Sequence, residues 1–123
     1  MRFRNEEIWN ARAAIQRLIE EKLPVKVSYG LAKIANKVNE QLKIIEEVRM
    51  GLLRKYGERT ESGWEVKNNS EKFGKFMEEV QELLAQEVEL VIEKVTLPTE
   101  INGELFQLEP RILMALEKFV GIG

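Results

Sequence analysis

The sequence predicts a mainly helical α+β domain, organised as a long antiparallel helical hairpin with a β-hairpin at its tip. Three observations predict it. Leu31, Ala35, Val38, Leu42, Ile45, Leu52 and Tyr56 recur at alternating steps of four and three, interrupted only where Arg49 takes a seam position. Phe73, Met77, Val80, Leu84 and Val88 form a second stripe of helical period, widened by Phe76 and Leu83. Between the two, ERTESGWEVK at 58–67 alternates around Ser62-Gly63, the pattern of a short hairpin. The stretches also carry opposite charge. Val25–Tyr56 holds seven bases and three glutamates (+4), and Glu71–Glu89 two lysines and six glutamates (−4).

Taken in order, Asn5 is placed to cap a first helix, with Glu6 and Glu7 in the turn where the helix dipole favours negative charge. Ile8, Ala11, Ile15, Leu18 and Ile19 make its apolar stripe, with Trp9 beside it. Leu23-Pro24 stops it, because the residue before proline avoids helical angles and proline lacks an amide donor. Val25–Tyr29 fits either a short strand or the start of the long helix. Proline is welcome at a first helical turn, which favours helix from about Pro24 to Tyr56. Gly30 within it is expected where another helix passes close, and Gly57 where a left-handed residue ends the helix.

Trp64 is expected to fold onto the helix ends, and Ser70 to cap a second long helix running to Glu89. Leu90–Leu97, rich in β-branched residues, reads as a strand. Asn102-Gly103 marks a tight turn between Glu100-Ile101 and Glu104-Leu105-Phe106. Pro110 opens a short last helix that docks Ile112, Leu113, Leu116 and Phe119, and Gly121–Gly123 is expected to fray. No repeat or low-complexity linker divides the chain, so residues 1–123 read as one domain.

Composition narrows the chemistry. The chain has no cysteine and no histidine, and all 21 acidic residues are glutamate. Histidine is the usual general base near neutral pH and the commonest metal ligand. Catalytic triads, cysteine nucleophiles, zinc sites and aspartate-held magnesium are therefore excluded, and the chain is expected not to be an enzyme and to need no cofactor. Glu46, Glu47, Glu78, Glu79 and Glu82 match a carboxylate metal site only in part, since bundle sites of that kind also use histidine. They read as solvated helix faces.

Residues 1–57 carry twelve Lys/Arg against seven Glu, and residues 58–123 seven against fourteen. Attraction between the halves accounts for this, because the bases alternate with glutamate rather than cluster. The alternative is a basic face on the long helix that binds nucleic acid. YGLAKIANKVNEQLKIIEEV is similar at L-A-x-I-A to the opening of a DNA-reading helix-turn-helix, but the heptad continues where a turn is needed. Nucleic acid is thus not the expected partner. No apolar run has the length of a membrane helix, and MRFRNEEIW lacks the apolar core of a signal peptide, so a cytoplasmic place is expected.

Ile34, Ile44, Val48, Met50 and Leu53 are apolar positions flanking the seam, more than a hairpin of this size covers. With Trp9 and Trp64 they are the candidate interface residues, and a second copy is the expected partner. Arg49 is expected to pair with a glutamate of the facing helix.

The order LPVKVSYGLAKI, LLRKYGE, a polar hairpin, LLAQEVELVIEKV and LEPRILMALEKF resembles a family of small tailed-phage and prophage proteins of unknown function, over roughly residues 20–119. That resemblance implies a viral origin and a non-enzymatic role in virion assembly or host interaction, in the host cytoplasm or on the virion. The helix–hairpin–helix order is also similar in shape to prefoldin-type chaperone subunits, which adds an assembly chaperone to the same expectation.

Overall fold

A computed structural model describes residues 1–123. Four helices and eight short strands follow one another: β1 (Arg2–Arg4), α1 (Asn5–Ile19), α2 (Val25–Tyr56), β2 (Glu58–Thr60), β3 (Gly63–Glu65), α3 (Phe73–Ala85), β4 (Glu87–Glu89), β5 (Val95–Leu97), β6 (Glu100–Ile101), β7 (Glu104–Leu105), α4 (Pro110–Ala115) and β8 (Val120–Ile122). The fold is α+β and mainly α, as the periodicity predicts.

The spine is α2, 32 residues long and therefore roughly 48 Å from end to end at the helical rise. Pro24 precedes it in extended conformation and leaves its carbonyl to the Ser28 amide at 2.9 Å, so Val25–Tyr29 is helix and not strand. Its first two-thirds bury Leu31, Ile34, Ala35, Val38 and Ile45. Against this half lies α1, which buries Ile8, Ala11, Ala14, Ile15 and Leu18. Leu97, Leu116, Phe119 and Val120 close the same core from the C-terminal side.

The outer third of α2 is different. It runs beside α3 toward the β2–β3 hairpin, and no residue between Ile45 and Leu90 is buried. Phe73, Val80 and Leu84 are half-covered and Met77 is exposed, so the body carries a thinly covered two-helix arm. No helix of the chain is long and apolar enough to cross a membrane.

Several local expectations need correction. The second long helix ends at Ala85, not Glu89, because residues 87–89 become β4 and pair antiparallel with β1, Phe3 opposite Val88. Asn5 stands inside α1 rather than capping it. Its amide and side chain take the carbonyls of Gln86 and Leu83, both at 2.9 Å, which helps to terminate α3. The cap of α1 is formed instead by the Glu7 carboxylate, which accepts the Arg4 amide at 2.9 Å.

Of the expected strand 90–97 only Val95–Leu97 forms a ladder, and it pairs in parallel with β8, so Gly121 and its neighbours are held rather than frayed. Gly57 adopts φ −99° and is not left-handed. Space selects glycine there, since a Cβ would lie 2.5 Å from the Leu53 carbonyl oxygen and 2.6 Å from that of Glu65. What passes close to Gly30 is a strand, not a helix: a Cβ would sit 2.7 Å from a methyl of Val95. The Asn102-Gly103 turn forms as its sequence predicts, with φ of 54° and 82° and Glu100 opposite Leu105.

Candidate functional site

One face of α2 is exposed over much of its length, with Val95 crossing it at Gly30 and Glu79 meeting Lys55 near its end. Lys26, Gly30, Lys33, Lys37, Ile44, Val48, Gly51 and Lys55 fall on it at steps of three, four and, from Lys37 to Ile44, seven. Its polar end and its apolar end form distinct surfaces.

The polar end is one wall of a groove of about 940 Å³; the other wall is the segment Val91–Thr96. Lys26, Lys33, Lys37 and Lys94 line it, and none of the four forms an ion pair. Tyr29 is exposed there, with the Lys33 ammonium 4.8 Å from its ring centre. Glu40 and Glu93 also face the groove.

The far wall is anchored at both ends. The Leu90 amide donates to the Met1 carbonyl at 2.9 Å, and the Val95 amide to that of Phe119 at 3.0 Å. Between these anchors, the main chain of Val91–Lys94 makes no hydrogen bond within the protein. Val91–Lys94 lies between β4 and β5 and belongs to neither, so its main-chain donors and acceptors are open to a partner.

The apolar end lies on the arm, where Ile44 is 52% and Val48 44% exposed. One turn further on stands Gly51, with nothing within 4 Å of where a Cβ would be. A glycine in a helix interior destabilises it, so an uncrowded one on an exposed stripe has no explanation inside this chain.

The other predicted interface residues are placed differently. Ile34 is 2% exposed and belongs to the core, so it leaves the interface set. It packs in the main core, and β5 approaches α2 one turn earlier, at Gly30. Met50, Leu53 and Trp64 are half-buried at the α2–α3 seam and the β2–β3 hairpin. Trp9 is half-buried on α1, with the Arg12 guanidinium 3.9 Å and that of Arg49 5.9 Å from its ring. Arg49 thus faces a tryptophan of α1 and pairs with Glu46 of its own helix at 3.0 Å, not with a glutamate of α3.

Glu79 is a perturbed carboxyl on the arm. The Tyr56 hydroxyl first, and then Lys55 at 3.4 Å, hold its carboxyl below the ordinary range against desolvation. Its Oε2 is buried and has no hydrogen-bond partner within the ordinary distance and angle limits. Glu46, Glu47, Glu78, Glu79 and Glu82 do not converge, and no three acidic side chains are placed to share an ion.

Sequence reasoning finds Ile44 and Val48 but misses the groove. Its sequence signal is the second, lysine-bearing stripe on α2. The wall opposite cannot be read this way, because the segment that supplies it lies more than fifty residues away. Comparison with protein-family models, curated proteins and solved structures gives no match.

Proposed function

We propose that this is a non-enzymatic structural or assembly protein that works through its helical surfaces and associates with copies of itself. The observation that carries this reading is the arm. A two-helix seam in which no residue from Glu46 to Glu89 is buried, flanked by exposed Ile44, Val48 and Met77, leaves apolar surface that a partner covers at a gain of about 25 cal/mol per Å². A second copy supplies that cover at no further requirement. The sequence resemblance to tailed-phage proteins supports a role in virion assembly or host interaction, in the host cytoplasm or on the virion. Light scattering over a concentration range tests the reading. A defined dimer or larger assembly supports it, and a monomer at every concentration removes it.

A second reading is a nucleic-acid-binding protein using the basic face of α2. Four unpaired lysines and an exposed tyrosine in one groove favour it. Binding to an oligonucleotide that weakens steeply with salt supports it, and no binding at low salt removes it.

A further inference from the structure

The groove beside α2 has three properties that together describe its occupant. Its lysines are unpaired, which favours an acidic guest. Its far wall offers four consecutive residues whose main-chain donors and acceptors are free, which favours a guest that can pair with main chain, a β-strand. Val91, 85% exposed, adds an apolar contact along that wall. Glu40 and Glu93 in the lining count against a polyphosphate backbone, whose charge repeats at every residue, and far less against a peptide that spaces its acids.

The chain itself carries such a guest. The β6–β7 hairpin, PTEINGELFQ at 98–107, contains Glu100 and Glu104 and no base. Neither glutamate forms an ion pair within the molecule. The hairpin is a two-stranded ribbon, paired with no other strand, so its outer edges are open. Leu105 on it is 71% exposed. Its Asn102-Gly103 turn fixes the ribbon shape before any docking, which lowers the entropy lost on binding.

We propose that the groove between α2 and Val91–Lys94 receives the β6–β7 hairpin of a second copy, one strand of the ribbon pairing with the open main chain of Val91–Lys94 while Glu100 and Glu104 approach Lys33 and Lys37. This rests on the self-association reading and specifies one of its contacts. Groove wall and hairpin follow one another along the chain, Thr96 lining the groove and Pro98 opening the hairpin, so two copies can exchange hairpins reciprocally about a two-fold axis, or the contact can repeat head-to-tail into a ring or filament. The Ile44–Val48 patch is separate from it.

The test uses the full chain with two paired charge reversals, Lys33→Glu with Lys37→Glu in the groove and Glu100→Lys with Glu104→Lys in the hairpin. All four side chains are exposed, and circular dichroism checks that each variant folds. Solution mass is then measured against concentration. Each double variant is expected to weaken assembly by roughly ten-fold or more, and the chain carrying all four changes to recover it. If the parent assembles and neither double variant differs from it, or the four-fold variant recovers nothing, this contact is wrong while self-association stands. A parent that is monomeric throughout removes both. A labelled single-stranded oligonucleotide is the control guest: if it binds the parent, loses binding only with the groove variant, and the hairpin variant leaves the mass unchanged, the groove belongs to nucleic acid and the proposal falls.

Discussion

The buried amide of Asn5 accepts a hydrogen bond from Gln41 at 3.0 Å, and the same side chain donates to the Leu83 carbonyl at 2.9 Å. One small polar group thereby joins the start of α1, the middle of α2 and the end of α3. It is the only buried polar side chain of the molecule, and it is satisfied on both sides.

Asn5→Ala strands two partners at once and is expected to lower stability by about 1–3 kcal/mol, the range for leaving buried polar groups unpaired. Gln41→Ala should cost less, because Gln41 is half-exposed and water can replace it at Asn5. Urea unfolding of both variants and of the double variant measures the coupling. Strictly additive effects would mean that the Asn5–Gln41 bond contributes nothing of its own.

Two helical glycines of α2 should respond in opposite directions to alanine. At Gly30 the added methyl meets Val95 at 2.7 Å and pushes β5 away from the helix, at a cost of about 1–3 kcal/mol. Val95→Ala in the same chain should return part of that loss. At Gly51 nothing stands in the way, and the better helix former should stabilise the arm by about 0.5–1 kcal/mol. Thermal melts of the three variants decide it.

Glu7 links α1 to the C-terminal region through Lys118, at 2.7 Å. Desolvation raises its carboxyl pKa, but the hydrogen bond from Lys118 and that from the Arg4 amide prevail, and it lies below its ordinary value of 4.5. A carboxyl depressed by folding contributes stability that is fully present above 4.5 and is lost as pH falls through the folded value. Stability curves of the parent and Glu7→Gln should therefore run apart and parallel near neutral pH and converge below 4.5. A gap that stays constant down to about pH 3 would exclude this pair as a source of the acid response.

Phe3 stacks on Phe119 with ring centres 4.9 Å apart and planes at 15°, and is 1% exposed. Phe3→Ala should destabilise by about 3–5 kcal/mol. Hydrogen exchange is expected to speed up first at the amides shared by β1 and β4, which depend on that ring for their position.

The three longer helices are legible in the sequence because each commits ten or more residues to one period, and an apolar stripe survives a few exceptions such as Arg49; the six-residue α4 is legible from Pro110 at its start. The two tight hairpins are legible because their turn residues are adjacent in sequence. The β1–β4 and β5–β8 pairings are not, since a three-residue strand has too little alternation to register and its partner is as remote as Glu89 is from Arg2. Asn5 illustrates the limit. Its residue type fits a cap at that position, and only the arrival of Leu83 and Gln41 in space converts it into a buried link. The candidate site divides the same way: Ile44 and Val48 follow from the period of α2 alone, whereas Ile34 joins the core through packing that its place in the sequence does not reveal.

The pairing of β1 with β4 also sets an order in time. The hairpin tip and the α1–α2 contact join neighbours along the chain and close quickly, but the first strand has nothing to pair with until Glu87–Glu89 has been delivered beside it. As the polypeptide is made, its leading residues must stay open while α1 and α2 collapse behind them. Pairing of β1 therefore waits for β4, and the β5–β8 ladder, whose second strand lies at Val120–Ile122, comes later still along the chain.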